Sequence, residues 1–152
     1  MDRHEEAVMA CITANGETFV AHEFELGGGW SRPDFIAIRP PKRQVYIVEV
    51  TVSGNPTKLI ERVNNREAHW LAPLRPRLEE LHIVDATWSY SVLLFVRRDQ
   101  IDWVKQKIND LTGVRVLCLD DASADWEWRD EVWSNDFSFE RGEIKREAFQ
   151  SK

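Results

Sequence analysis

Two carboxylates stand out for what surrounds them. Asp34 follows Arg32-Pro33 and opens the stretch Asp34-Phe35-Ile36-Ala37-Ile38, while Glu49 lies inside Val45-Tyr46-Ile47-Val48-Glu49-Val50-Thr51. A carboxylate within a nearly continuous apolar run is costly unless something satisfies it. Glu49, flanked by Val48 and Val50, needs a partner, and a hard cation such as Mg2+ shared with Asp34 would serve. Chemistry at a divalent metal is therefore the first expectation. Zinc is a poor fit, because His4, His22, His69 and His82 show no HExxH-type spacing. Cys11 and Cys118 lie far apart and match no metal-ligand pattern, which leaves two buried free thiols as the plain reading. No Ser sits in a Gly-x-Ser-x-Gly elbow, so a hydrolase nucleophile is not proposed. Gly27-Gly28-Gly29-Trp30 reads as a turn, since the Gly-Lys-Ser/Thr of a phosphate-cradling loop does not come after it.

These acids need elements to position them. Asp2 can cap a first helix over about residues 3–14, with Ala7, Val8, Cys11 and Ile12 at helical spacing and Asn15-Gly16 ending it. Residues 18–25 alternate as a strand, residues 34–39 form a second, and Pro40-Pro41-Lys42 turns the chain into a third at 44–52. The third strand is apolar on both faces and is expected in the middle of a sheet. Ser53-Gly54-Asn55-Pro56 opens a second helix to about Leu71, interrupted by Pro73 and Pro76, with a further helical turn to Leu81. Residues 89–96 read as a buried strand. Asp99 is expected to cap a helix to about Leu111 ended by Gly113, and residues 114–119 form a last strand. The order α-β-β-β-α-β-α-β predicts an α/β fold with a mixed central sheet flanked by helices, and the link from the third to the fourth strand is long enough for a parallel crossover. The 152 residues suit one domain, with a core over about 3–119 and an extension at 120–152.

In this order of elements, with Pro33-Asp34 opening the second strand and Glu49 inside the third, the chain resembles the PD-(D/E)xK superfamily of nucleases, which includes restriction endonucleases and archaeal Holliday-junction resolvases. The resemblance covers roughly residues 3–96. Pro33-Asp34 fits the "PD" element, and Glu49-Val50-Thr51 fits "(D/E)xK" at its first position and departs from it at its last. It implies that Asp34 and Glu49 bind Mg2+ or Mn2+. Glu5 or Glu6 on the first helix would be a further metal ligand, and the substrate would be a DNA phosphodiester. The missing lysine puts catalysis in question. Thr51 shares a strand face with Glu49 but carries no positive charge. Lys58, near the start of the second helix, is the best substitute, because some members of the superfamily carry their lysine there.

That helix has a second feature. At 100° per residue, Lys58, Arg62, Asn65 and His69 fall in one stripe with Arg66 at its edge, while Leu59, Ile60, Val63, Trp70 and Leu71 take the apolar side. Glu67 falls amid the apolar side and receives no role. A cationic strip beside the acids suits phosphate contacts, so Arg62, Arg66 and His69 are candidate nucleic-acid contacts. Trp30 abuts Arg32-Pro33-Asp34 and is a candidate for stacking on a base.

Net charge is −6, but it is unevenly spread. Residues 1–118 hold 15 Lys/Arg against 16 Asp/Glu, whereas residues 119–140 hold eight acids and one base, Arg129. The near-neutral part can carry a basic face for DNA, and the acidic, Trp-rich extension can dock a protein partner or compete with DNA for the strip. No run of about 18 apolar residues suggests a membrane span, and the charged N-terminus reads as helix, so a cytoplasmic protein is expected. A homodimer is possible for a nuclease of this size. The alternative function is a catalytically inactive nuclease-fold module that binds nucleic acid or a protein partner.

Overall fold

A computed structural model describes residues 1–26 and 32–122. Helix α1 (Arg3–Thr13) begins at a full capping box. Asp2 accepts the amides of His4 and Glu5, and the Glu5 carboxylate accepts the amide of Asp2 at 2.8 Å. The box satisfies amides that the helical ladder leaves open, an effect of about 1 kcal/mol.

Three antiparallel strands come next: β1 (Phe19–His22), β2 (Phe35–Arg39) and β3 (Gln44–Val50). β1 stops well short of residue 25. Glu23 takes a left-handed backbone (φ 52°), and its amide turns to the carbonyl of Asp34 at 3.1 Å. Strands β4 (Ser89–Val96) and β5 (Val114–Cys118) then add in parallel, giving one mixed sheet in the order β1-β2-β3-β4-β5. The chain is thus α/β with a five-stranded mixed sheet flanked by helices, and β3 lies at its centre as its two apolar faces require.

Each face of β3 feeds its own core. Val45 and Ile47 pack with Leu59, Val63, Trp70, Leu74 and Val104 on one side, while Tyr46 and Val48 pack with Val8, Cys11, Ile12 and Leu119 on the other. By alternation Glu49 belongs to the first side. Cys11 and Cys118 are both buried and free.

The crossover from β3 to β4 contains α2 (Thr57–Asn64), a π-helical turn (Glu67–Leu71) and α3 (Ala72–Glu80). The sequence suggests a break at Pro73 and Pro76; instead α3 runs through both. Its start explains how. The amide of Ala72 reaches the carbonyl of Glu67, five residues back, so the coil widens just ahead of Pro73. Proline has no amide to lose there, and a wider turn relieves the clash between its ring and the preceding carbonyls. Glu67, expected on the apolar side, is exposed and bonds to Arg75 across this junction. Helix α4 (Ile101–Lys107) is shorter than the sequence suggests, and Asp99 pairs with Arg97 at 2.8 Å instead of capping it. At Ile108 the chain turns extended and buries that side chain, and Asn64 accepts the next amide, that of Asn109, at 2.9 Å. Helix α5 (Leu119–Ala122) packs on α1.

Among the described residues, no helix is long and apolar enough to cross a membrane.

Candidate functional site

The register of β2 and β3 pairs Phe35 with Val48, so Asp34, one residue before β2, comes opposite Glu49. A hydrogen bond fixes it there, with Asp34 Oδ2 accepting the amide of Val50 at 2.8 Å. Glu49 is 4% exposed, and its Oε1 is enclosed without a hydrogen-bond partner. A buried, unsatisfied carboxylate oxygen beside a second carboxylate is costly for an ionised acid. The Glu49 carboxyl is accordingly pushed up to about 9, first by burial, then by the charge of Asp34 and the hydrogen bond between the two acids. Arg62 opposes this, and Glu5 adds a little to it.

Arg62, on α2, brings its Nη1 to 3.9 Å from Glu49 Oε2. It also lowers the pKa of His69, second to that residue's own burial. Lys58 is exposed one helical turn before Arg62 and on the same face of α2. Thr51, where a lysine was expected, uses its hydroxyl oxygen to accept the amide of Ser53 at 3.1 Å.

Other expected residues sit differently. Arg66 faces away from the acids and holds the chain between α4 and β5. It donates to the carbonyls of Val63 at 2.9 Å, Asp110 at 2.8 Å and Thr112 at 3.2 Å. Counting at 100° per residue fails here because the backbone of Asn65 (φ −108°, ψ 24°) leaves the helical region and rotates the residues after it. Glu5 closes the capping box and lies 4.0 Å from the imidazole of His22. Trp30 and the acidic, Trp-rich stretch from residue 123 onward lie outside the described residues.

His22 ends β1 opposite Phe35, with the two rings 5.4 Å apart, and so shares the sheet face of Phe35 and Val48, opposite to that of Asp34 and Glu49.

Among the described residues, no three His, Cys, Asp or Glu side chains gather closely enough to hold an ion between them. The acids form a pair, Asp34 and Glu49, with Glu5 outside it. Such a pair still fits Mg2+ or Mn2+. Magnesium keeps several waters and is commonly held by one or two carboxylates together with substrate phosphates, not by a closed protein cage. The unpartnered Oε1 of Glu49 is the donor atom such an ion would satisfy. A cleft of about 420 Å³ lies at the opposite end of β3 and β4, bordered by Lys42, Gln44, Tyr46, Ser91 and Arg115, and none of these acids lines it.

Compared with family models, curated proteins and solved structures, the chain matches none.

Proposed function

We propose that the chain is a metal-dependent, nuclease-like protein acting on DNA phosphodiester bonds, with a restriction-endonuclease-like core. The observation that carries this reading is Glu49, a carboxylate buried in the central strand, lacking a partner for Oε1 and set against Asp34. A purely structural acid at such a position would be better replaced by an apolar residue. Further support comes from the sheet order, in which an antiparallel β1-β2-β3 meander leads through a helical crossover to a parallel β4, with Asp34 just ahead of β2 and Glu49 in the adjacent β3. This is the arrangement that resemblance to the PD-(D/E)xK superfamily implies.

In this reading Asp34 and Glu49 hold Mg2+ or Mn2+, with Glu5 near enough to add negative field. When bound, the ion polarises the scissile phosphate and lowers the pKa of the attacking water. Asp34 is held in place by the Val50 amide. Lys58 and Arg62 offer the phosphate backbone a cationic edge on α2, and His69 extends it past the helix end.

Mn2+ calorimetry and nicking of supercoiled plasmid test the proposal. Wild type is expected to bind Mn2+ and nick DNA, and Asp34→Asn and Glu49→Gln are expected to abolish both. Nicking that survives both substitutions comes from a contaminant and sinks the assignment. One observation favours the inactive-module reading: Thr51 is uncharged and its hydroxyl is engaged with Ser53. Binding of Mn2+ and DNA with no nicking would decide for that reading.

A further inference from the structure

Phosphodiester hydrolysis at this site needs a positive side chain beside the phosphate, and Thr51 cannot supply one. We propose that Arg62 is that cation and a catalytic residue, stabilising the charge that grows on the phosphate in the transition state. The proposal rests on the metal-dependent nuclease reading.

Geometry singles out Arg62 from its neighbours. Among the described residues it is the cation whose charge bears on Glu49, with Nη1 3.9 Å from Oε2. That distance makes an ion pair once Glu49 is ionised but is too long for a hydrogen bond, so Glu49 does not consume the guanidinium's donors. The Arg62 side chain is 33% exposed while that of Glu49 is 6% exposed, so the guanidinium spans from the buried acid to solvent. Arg66 is committed to three backbone carbonyls. Lys58, one helical turn before Arg62, is exposed. A planar guanidinium also matches two phosphate oxygens at once, which an ammonium does not.

The chemistry limits what Arg62 can do. In hydrolysis the oxygen of one water bonds to phosphorus as the bond from phosphorus to the leaving sugar oxygen breaks. One water proton ends on that leaving oxygen, and the other passes to solvent. Arginine stays protonated throughout and cannot take either proton. Its contribution is electrostatic, directed at the non-bridging oxygens as their charge grows.

Metal binding and turnover together separate this role from that of a mere counter-ion to Glu49. Arg62 repels a bound divalent cation but also favours the ionised Glu49 that would hold it, so Arg62→Met is expected to bind Mn2+ about as tightly as wild type. With full-length protein, calorimetry with Mn2+ alone and steady-state nicking of supercoiled plasmid are measured for wild type, Arg62→Met, Arg62→Lys and Lys58→Met. The expected result is a kcat lowered by about 10²–10³-fold in Arg62→Met, the loss typical of removing one transition-state donor. KM should change far less, and Arg62→Lys should recover part of the rate. Unchanged nicking in Arg62→Met would make Arg62 a counter-ion only and overturn the proposal. A large loss confined to Lys58→Met would move the role to that lysine. A wild-type protein that binds Mn2+ without nicking would overturn the nuclease reading itself, and this role with it.

Discussion

Asp34 accepts the main-chain amide of Val50, so the residue after Glu49 in the chain anchors the carboxylate that presses on Glu49. The strand register and the site geometry are therefore one arrangement. A one-residue slip of β2 against β3 would lose the anchor and turn the side chains of β2 to the opposite face.

Stability without metal should depend on pH through this pair. The Glu49 carboxyl titrates near 9 in the folded chain, against an ordinary value of 4.5. Below pH 4.5 it is protonated whether the chain is folded or not. Between 4.5 and 9 the unfolded chain has lost that proton while the folded chain keeps it. Stability from this group is thus complete at acid pH and falls as pH rises, by up to about 1.4 kcal/mol per unit. Denaturant midpoints of wild type should fall more steeply from about pH 5 to 8.5 than those of Glu49→Gln. Parallel profiles would mean that Glu49 is already ionised in the fold.

Metal should then compete with a proton. Binding of Mn2+ near neutral pH has to displace the proton on Glu49, because a ligand carboxylate must be ionised. Calorimetry in buffers of different ionisation enthalpy should report release of close to one proton per ion. Affinity should rise by up to about tenfold per unit between about pH 6 and 8. An affinity independent of pH would show that the ion does not meet Glu49.

How much of this was legible in the sequence depended on the kind of signal. The apolar run of β3 and the Pro33-Asp34 turn placed both acids on adjacent strands, because alternation and burial act over a few residues and survive in any context. Burial of Leu59, Ile60, Val63, Trp70 and Leu71 was also readable from helical spacing. The orientations of Arg66 and Glu67 were not, since these two residues directly follow the backbone break at Asn65. The pairing of Glu5 with His22 joins α1 to β1 through space, and no local pattern announces it.

Arg66 and Arg62, four residues apart, should behave in opposite ways. Arg66→Ala removes three bonds to backbone carbonyls and is expected to cost about 2 kcal/mol of stability, read as a lower denaturant midpoint. Mn2+ affinity and nicking at low temperature should be unchanged. A loss of nicking without loss of stability would return Arg66 to the DNA-contacting strip.

The C-terminal charge provides the last test. Residues 123–152 hold eight acids and five bases, so ending the chain at Ala122 removes three net negative charges. DNA affinity of the shortened chain should rise, with the gain shrinking as salt is added. Equal affinity at low salt would exclude competition between this segment and DNA.

The π-helical turn has a consequence for how the chain tolerates changes in length. Such a turn holds one residue more than the α-helical turn it replaces. Deleting one residue from Glu67–Leu71 would leave four residues in a plain α-helical turn that covers nearly the same rotation, so α3 would keep its face toward the core. The cost would fall on Pro73, whose ring would meet the carbonyls that the wider turn now holds off. An extra residue there would instead rotate α3 by about 100° relative to α2. Leu74 and Leu78, both fully buried, would then leave the core, while α2 would still present Arg62 to Glu49. The crossover should therefore tolerate losing a residue at this turn far better than gaining one.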